Sequence, residues 1–127
     1  MKRILLMDDE KIVLEFLSRM LEHIGYEVGT STDGSQAIST YLQAKADAKP
    51  FDVVMMDLVV AGGMGGPEAV LELKRIDPQA RVIATSGHLD HPVMLDHVKF
   101  GFDGSIEKPY KIEKLKKVIE AATNAPA

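Results

Sequence analysis

The sequence predicts an α/β domain in which helices cover both faces of a five-stranded parallel sheet. Two observations support this fold class. Short apolar runs alternate along the chain with segments whose apolar residues recur at helical spacing, and there are five such pairs. Several of the runs are apolar without interruption, which is typical of strands buried on both faces. Strict alternation favours parallel strands joined by crossover helices.

The first half of the chain shows this alternation clearly. A strand is predicted over 3–7, and Asp8 follows it. A helix over 12–24 comes next, with Gly25 as its stop signal. The run 26–30 contains polar residues, so we predict a strand at an edge of the sheet.

The second half repeats the pattern. The third predicted strand, 52–56, is apolar from Val53 to Met56, and Gly66-Pro67 opens the helix after it, because proline suits the first turn of a helix. The remaining elements are a helix over 33–46, a strand over 80–85, a weakly patterned helix over about 91–100, a short strand over 103–107 and an amphipathic helix over 111–122. We predict one domain over 1–122 and a frayed C-terminal tail over 123–127.

Composition restricts the class of protein. The chain has 127 residues, of which 46% are hydrophobic and 27% charged, which is typical of a globular domain. A net charge of -4 gives no electrostatic basis for binding nucleic acid. Cysteine is absent, so disulfide and thiolate chemistry are excluded. No apolar run is long enough to span a bilayer and no signal peptide is evident, so we expect a cytoplasmic domain without membrane contact.

For five strand–helix units, the flavodoxin-like doubly wound order 2-1-3-4-5 is expected, and it places the polar second strand at an edge. Ligands bind such sheets at the carboxyl ends of the strands, where the strand order reverses. That point lies between the first and third strands. The residues that follow strands one, three, four and five should therefore meet there, and they are Asp8, Asp9, Asp57, Ser86 and Lys108.

This set of residues suits phosphoryl chemistry. Three carboxylates packed together repel one another, and a hard divalent cation such as Mg²⁺ relieves the repulsion through oxygen ligands. A bound cation attracts phosphoryl oxygens, for which Lys108 and the Ser86 hydroxyl are further partners. Asp57 alone ends an apolar strand beside a glycine-rich loop, and a carboxylate can attack phosphorus to give an aspartyl-phosphate. Asp57 is therefore the predicted nucleophile.

The motifs "LLMDDE", "MMDL", "ATSG" and "EKPY" resemble those of response regulator receiver domains of two-component signalling, over nearly the whole chain. The resemblance implies that Asp57 is the phosphoacceptor, with Ser86 and Lys108 as catalytic partners. It implies that Mg²⁺ contacts Asp9, Asp57 and the backbone carbonyl of Val59, with Asp8 acting partly through water. It further implies a cis peptide bond before Pro109.

The same resemblance implies the partners. The phosphoryl donor would be a sensor histidine kinase or a histidine phosphotransfer domain, and the output would be an altered contact with a further protein. The domain would be no conventional enzyme, but would catalyse its own phosphorylation and slow self-dephosphorylation. The segments "GGMGG", "SGH", "HPVM" and "GFDG" look like those of receivers at the C-terminal end of hybrid sensor histidine kinases.

The sequence departs from the receiver pattern in two places. The loop after Asp57 has Ala61 where receivers usually have proline, and it is one residue longer than usual. Receivers commonly carry an aromatic residue three positions before the lysine, where this chain has Ser105. A standard coupling of phosphorylation to the surface near the fifth strand is therefore not expected. Val59 and His88 occupy the positions that flank the path of the hydrolytic water, and the apolar Val59 predicts slow to moderate self-dephosphorylation.

Other interpretations compete with a phosphoacceptor. Taken alone, Asp8-Asp9-Glu10 suits the N-cap of a helix. A flavin carrier on the same architecture would place a phosphate loop after strand one, where these acids would repel it. A pseudo-receiver that binds a partner without phosphorylation is the alternative within the family. The predicted meeting of Asp57 and Lys108 with the acidic pair favours the phosphoacceptor.

Overall fold

In a computed structural model, which describes residues 2–124, the chain forms one five-stranded parallel sheet in the order β2-β1-β3-β4-β5. The predicted fold class and strand order are confirmed. The elements are β1 (Arg3–Met7), α1 (Lys11–Ile24), β2 (Glu27–Ser31), α2 (Gly34–Ala46), β3 (Val53–Asp57), α3 (Gly66–Ile76), β4 (Val82–Ser86), α4 (Pro92–Leu95), a 3-10 turn (Val98–Phe100), β5 (Gly104–Glu107) and α5 (Ile112–Asn124).

Several element boundaries differ from the predictions by one or two residues. β4 begins later than predicted, because Ala80 N–H donates to the Asp77 carbonyl in a turn at 3.0 Å. Asp57 and Ser86 are the last residues of β3 and β4 and do not lie beyond them. α5 ends at Asn124, so it runs two residues into the predicted tail. The rest of that tail, 125–127, lies outside the described residues.

The predicted continuous helix over 91–100 is wrong. The segment contains one helical turn, α4, and then a 3-10 turn. Asp96 interrupts them with a non-helical backbone (φ -154°, ψ 76°). Leu95 and Val98 are 74% and 72% exposed, so this stretch has no continuous apolar face to pack. Helices in proteins depend on such a face for most of their stability, which explains the break.

The core lies in two layers, one on each face of the sheet. Successive residues of β1 and β3 belong to opposite layers, as the two-residue repeat of a strand requires. The layer beneath α2 and α3 contains Leu5, Val54 and Met56, and the layer beneath α1 and α5 contains Ile4, Leu6, Val53 and Met55. Both faces are therefore apolar, which explains the uninterrupted apolar runs. None of the described helices is long and apolar enough to cross a bilayer.

A buried carboxylate connects α2 to the end of α3. Asp77 Oδ2 accepts hydrogen bonds from the Tyr41 hydroxyl at 2.8 Å and from Lys45 Nζ at 2.9 Å. Burial alone would raise the pKa of Asp77, but hydrogen bonds from Lys45, Tyr41 and the Gln79 N–H hold that pKa below its ordinary value. Asp77 is therefore charged at neutral pH, and it stabilises the packing of the two helices.

We expect Tyr41→Phe to lower the free energy of unfolding by about 1 kcal/mol, because it removes one hydrogen bond to a buried charge and leaves the packed ring in place. Urea unfolding at pH 7 measures the change. Tyr26→Phe, at a half-buried tyrosine that packs on the other face of the sheet, is the control. Equal losses in the two variants would contradict a specific role for the Tyr41–Asp77 contact.

Candidate functional site

Three predicted site residues meet at the carboxyl end of the sheet. Lys108 Nζ lies 2.7 Å from Asp8 Oδ2 and 3.6 Å from Asp57 Oδ2. Asp8 and Lys108 are 100 residues apart in sequence. Strand order brings them together, because β1, β3 and β4 are neighbours and β5 lies beside β4. The ammonium group thus lies between the carboxylates that follow β1 and end β3.

Hydrogen bonds from the backbone hold this end of the sheet in register. Leu58 N–H donates to the Thr85 carbonyl at 3.0 Å, and Lys108 N–H donates to the Ser86 carbonyl at 2.9 Å. These bonds continue the β3–β4 and β4–β5 pairings just past the ends of β3 and β5. The bond between Lys108 and Pro109 is cis, as the resemblance implies. The hydrogen bond from Lys108 N–H to the Ser86 carbonyl holds the lysine backbone beside β4.

Asp57 is a carboxylate in an unfavourable environment. Burial raises its pKa to about 6, and the nearby charges of Asp8 and Asp9 add to the rise, although Lys108 and the Val59 N–H act in the opposite direction. Burial is the largest cause of the rise, and together with the repulsion from Asp8 and Asp9 it outweighs the attraction of the single ammonium group of Lys108. A site of this kind favours an additional cation.

Lys108 keeps its charge in the same environment. Burial alone would lower the pKa of its ammonium group, but the hydrogen bond to Asp8 and the charge of Asp57 raise that pKa above its ordinary value. Asp8 is itself buried, so the pair is shielded from solvent. Lys108 therefore presents a fixed positive charge to any anionic group that approaches Asp57.

Acidic oxygen atoms also gather at the start of α1. Among the described residues, Asp8, Asp9 and Glu10 place carboxylate oxygens within 4.8 Å of one another, and Asp57 lies outside this cluster. Asp9 is exposed, and its Oδ2 accepts a hydrogen bond from Ala61 N–H at 3.2 Å. Carboxylate oxygens of this kind are the ligands that Mg²⁺ prefers, so the residues present fit the expected metal. Glu10 was predicted only as part of a helix cap, although it directly follows the acidic pair in the sequence.

The Ser86 hydroxyl is held in position by the backbone two residues further along the chain. Its Oγ accepts a hydrogen bond from His88 N–H at 2.9 Å. The nearest carbonyl that the hydroxyl can donate to is that of His88, at the limiting distance of 3.5 Å. The hydroxyl proton is therefore only weakly engaged within the protein, and it is available to an oxygen atom bound in the site.

Glycines of the loop after β3 allow close packing at the end of that strand. A Cβ on Gly65 would lie 2.6 Å from the Leu58 carbonyl oxygen, and one on Gly66 would lie 3.0 Å from that of Asp57. Met64 O accepts a hydrogen bond from Gly34 N–H at 2.7 Å, so the loop is docked on the start of α2. Gly65 and Gly66 therefore satisfy a steric requirement, because a larger residue at either position would collide with the backbone at the end of β3.

An apolar surface borders the site, and sequence reasoning missed it. Ile12 and Phe16 recur at helical spacing with the core residues of α1, yet they are 75% and 60% exposed. With Val13, Pro109 and Tyr110 they line an open depression of about 450 Å³ whose rim includes Lys108. The sequence did contain an indication of this surface, because the apolar residues of α1 occupy more of the helix circumference than one buried face can cover.

We expect Asp57→Asn to stabilise the metal-free protein at pH 7 by about 1–2 kcal/mol. A carboxyl whose pKa is raised from 3.8 to about 6 on folding contributes stability below pH 3.8, and loses it as pH rises through 6. The advantage of the variant should therefore shrink as pH falls from 7 towards 4. Urea unfolding in EDTA measures it, with Asp47→Asn at an exposed position as the control. A gain independent of pH would contradict this origin.

Comparison with known proteins agrees with the geometry. The family model for the response regulator receiver domain matches residues 4–120. The chemotaxis protein CheY of Thermotoga maritima is 31% identical over 122 residues, which cover 92% of this chain and 97% of CheY. Hybrid signal transduction histidine kinase L of Dictyostelium discoideum is 26% identical over 93% of this chain, but only 7% of that kinase is covered.

Solved structures lead to the same family. A response regulator receiver domain protein from Clostridium thermocellum superposes with a TM-score of 0.85 at 27% identity, covering 98% of this chain and 95% of that one. The response regulator TrrA of Thermotoga maritima, in complex with Mg²⁺ and BeF, has a TM-score of 0.78 at 27% identity and covers 94% of this chain and 97% of its own. The chain therefore belongs to the response regulator receiver domains, the phosphoacceptor switches of two-component signalling.

Proposed function

We propose that Asp57 accepts a phosphoryl group from a phosphohistidine on a sensor histidine kinase or a histidine phosphotransfer domain. The observation that supports this most directly is the position of Lys108 Nζ between Asp8 and Asp57. An Asp57 oxygen attacks phosphorus while the bond from phosphorus to the donor imidazole breaks. The imidazole leaves with the electron pair and takes up a proton from solvent. The product is an aspartyl-phosphate.

Side chains of the site have separate roles in this proposal. Asp8, Asp9, Asp57 and the carbonyl of Val59 would hold Mg²⁺, which supplies positive charge for the phosphoryl oxygens when it is bound. The structure of TrrA, a relative, is a complex with Mg²⁺ and BeF, which supports Mg²⁺ as the metal in this proposal. Lys108 binds one phosphoryl oxygen, and Ser86 donates its weakly engaged hydroxyl proton to another.

The lifetime of the phosphoryl group depends on how well water is positioned beside it. The Val59 side chain is 57% exposed and apolar, so it cannot orient a water molecule by a hydrogen bond. His88 is exposed and follows Ser86 by two residues. We therefore propose slow to moderate self-dephosphorylation, and no activity on outside substrates.

The apolar surface beside the site is suited to the donor. Ile12, Phe16 and Tyr110 flank Lys108, so a protein docked on them brings its phosphohistidine close to Asp57. An exposed apolar surface that continues into a reaction site is typical of a protein contact. We propose that an apolar face of the histidine-bearing domain occupies this depression.

Phosphorylation of Asp57 can be measured directly by intact mass. With acetyl phosphate and Mg²⁺, we expect the wild type and Asp47→Asn to gain one phosphoryl group, and Asp57→Asn to gain none. Omission of Mg²⁺ or the change Lys108→Ala should slow the gain by about 100-fold or more, since each removes a positive charge from the transferring group. An unphosphorylated wild type that remains folded would instead indicate a phosphorylation-independent binding module.

Docking of the donor can be separated from chemistry. We expect Phe16→Ala to slow transfer from a phosphorylated histidine phosphotransfer domain by about 10-fold or more, because truncating a central aromatic contact commonly costs over 1 kcal/mol. Transfer from acetyl phosphate, which needs no docking, should be unchanged. Leu71→Ala, at a 67% exposed position on α3, is the matched control. An equal effect of Phe16→Ala on both donors would contradict the docking proposal.

A further inference from the structure

Tyr110 lies between two cavities at the carboxyl end of the sheet. On its outer side it lines the apolar depression of about 450 Å³ that contains Ile12 and Phe16. On its inner side it lines a small cavity of about 10 Å³, together with Asp8 and Thr85. Of the residues that the structure describes, Tyr110 alone lines both. Its ring therefore forms the wall between them, with the buried Asp8 carboxylate on the inner side.

The hydroxyl group of Tyr110 is attached to β4. Its oxygen accepts a hydrogen bond from the Thr85 side chain, while its ring packs on the apolar layer beneath α1 and α5. Thr85 is buried and pairs in register with Asp57 on β3. The attachment therefore reaches the sheet at the residue beside the proposed phosphoacceptor.

The charged side chains of the site act on the same hydroxyl. Burial raises the pKa of Tyr110 to about 12, and the hydrogen bond from Thr85 opposes that rise. Lys108 also lowers this pKa, whereas Asp8 and Asp57 raise it. The hydroxyl therefore lies near all three charged groups, yet it remains neutral at physiological pH. A neutral group adds no charge to the site, so what it can supply is a fixed position.

Lys108 is attached to β4 on both sides of its side chain. Its own N–H donates to the Ser86 carbonyl at 2.9 Å, and two residues later Tyr110 is bonded to Thr85. The turn from Lys108 to Tyr110 is thus closed over two consecutive residues of one strand. The second attachment limits rotation of the chain about the first. It therefore restricts where the ammonium group can lie, which is 3.6 Å from Asp57 Oδ2.

We propose that Tyr110 and Thr85 form a positioning pair, which holds the turn from Lys108 to Tyr110 against β4 and so places Lys108 Nζ to meet the transferring phosphoryl group. The pair acts through Lys108 and touches neither the phosphoryl group nor the metal. The inference rests on the proposed function. A charged group stabilises a transition state best when its position is fixed beforehand, because a displaced group must first be reoriented at a cost in free energy.

Two substitutions remove the hydrogen bond and leave both side chains packed. Tyr110→Phe keeps the ring between the two cavities, and Thr85→Val keeps a side chain of similar volume. With acetyl phosphate and saturating Mg²⁺, each should slow phosphorylation by about 3- to 10-fold, the loss expected for one hydrogen bond. The double variant should be no slower than either single one, because both changes remove the same contact. Tyr26→Phe and Thr40→Val, at half-buried positions before β2 and in α2, are the matched controls and should leave the rate unchanged.

A second background separates positioning from structural support. In Lys108→Ala the ammonium group is absent, so Tyr110→Phe and Thr85→Val should slow the remaining reaction no further. A pair that merely supports the fold, or that acts on the metal ligands, would slow Lys108→Ala by the same factor as the wild type. Transfer from a phosphorylated histidine phosphotransfer domain should be slowed as much as transfer from acetyl phosphate, since both donors use Lys108. Phe16→Ala, by contrast, should slow only the protein donor.

Several results would overturn the positioning pair while leaving the proposed function in place. They are a wild-type rate in either single variant, a double variant slower than both, an equal further loss in the Lys108→Ala background, and an effect confined to the protein donor. A wild type that acetyl phosphate does not phosphorylate would instead overturn the proposed function itself, and the positioning pair with it.

Discussion

The contact of Lys108 with Asp8 and Asp57 is the interaction on which the rest of the site depends. Two carboxylates at the buried end of a sheet are costly without a counter-charge, and Lys108 Nζ supplies one at 2.7 Å and 3.6 Å. The compensation is incomplete, since the pKa of Asp57 remains raised to about 6. Burial of Asp57, together with repulsion from Asp8 and Asp9, outweighs the attraction of Lys108, so the site favours a further cation.

The remainder of the fold can be understood as support for this arrangement. The sheet is apolar on both faces and holds the strand ends in register, so the backbone beneath Asp57 and Lys108 is rigid. Gly65 and Gly66 let the next loop pack against the end of β3. Asp77, bound by Tyr41 and Lys45, joins the helices on one side. The buried sheet thus fixes the positions of Asp57 and Lys108 relative to each other.

The structure separates two surfaces that a switch of this family needs. The apolar depression around Phe16 and Tyr110 adjoins Lys108, and it is the surface on which we propose that the phosphoryl donor docks. The segment 88–102, between β4 and β5, carries exposed apolar side chains of its own, Leu95 and Val98. Ser86 connects the site to this segment, since its carbonyl accepts a hydrogen bond from Lys108 N–H and its hydroxyl oxygen accepts one from His88 N–H.

The sequence by itself determined the sheet order, and with it the meeting of Asp8, Asp57 and Lys108, because apolar periodicity and the ends of strands are local properties of the chain. Local pattern also identified Asp57 as the acid at the end of an apolar strand. Only the tertiary structure decided that Phe16 is exposed and that His97 lies beside Ser105. Those outcomes depend on which distant side chains compete for the same space, and no spacing along the chain records that competition.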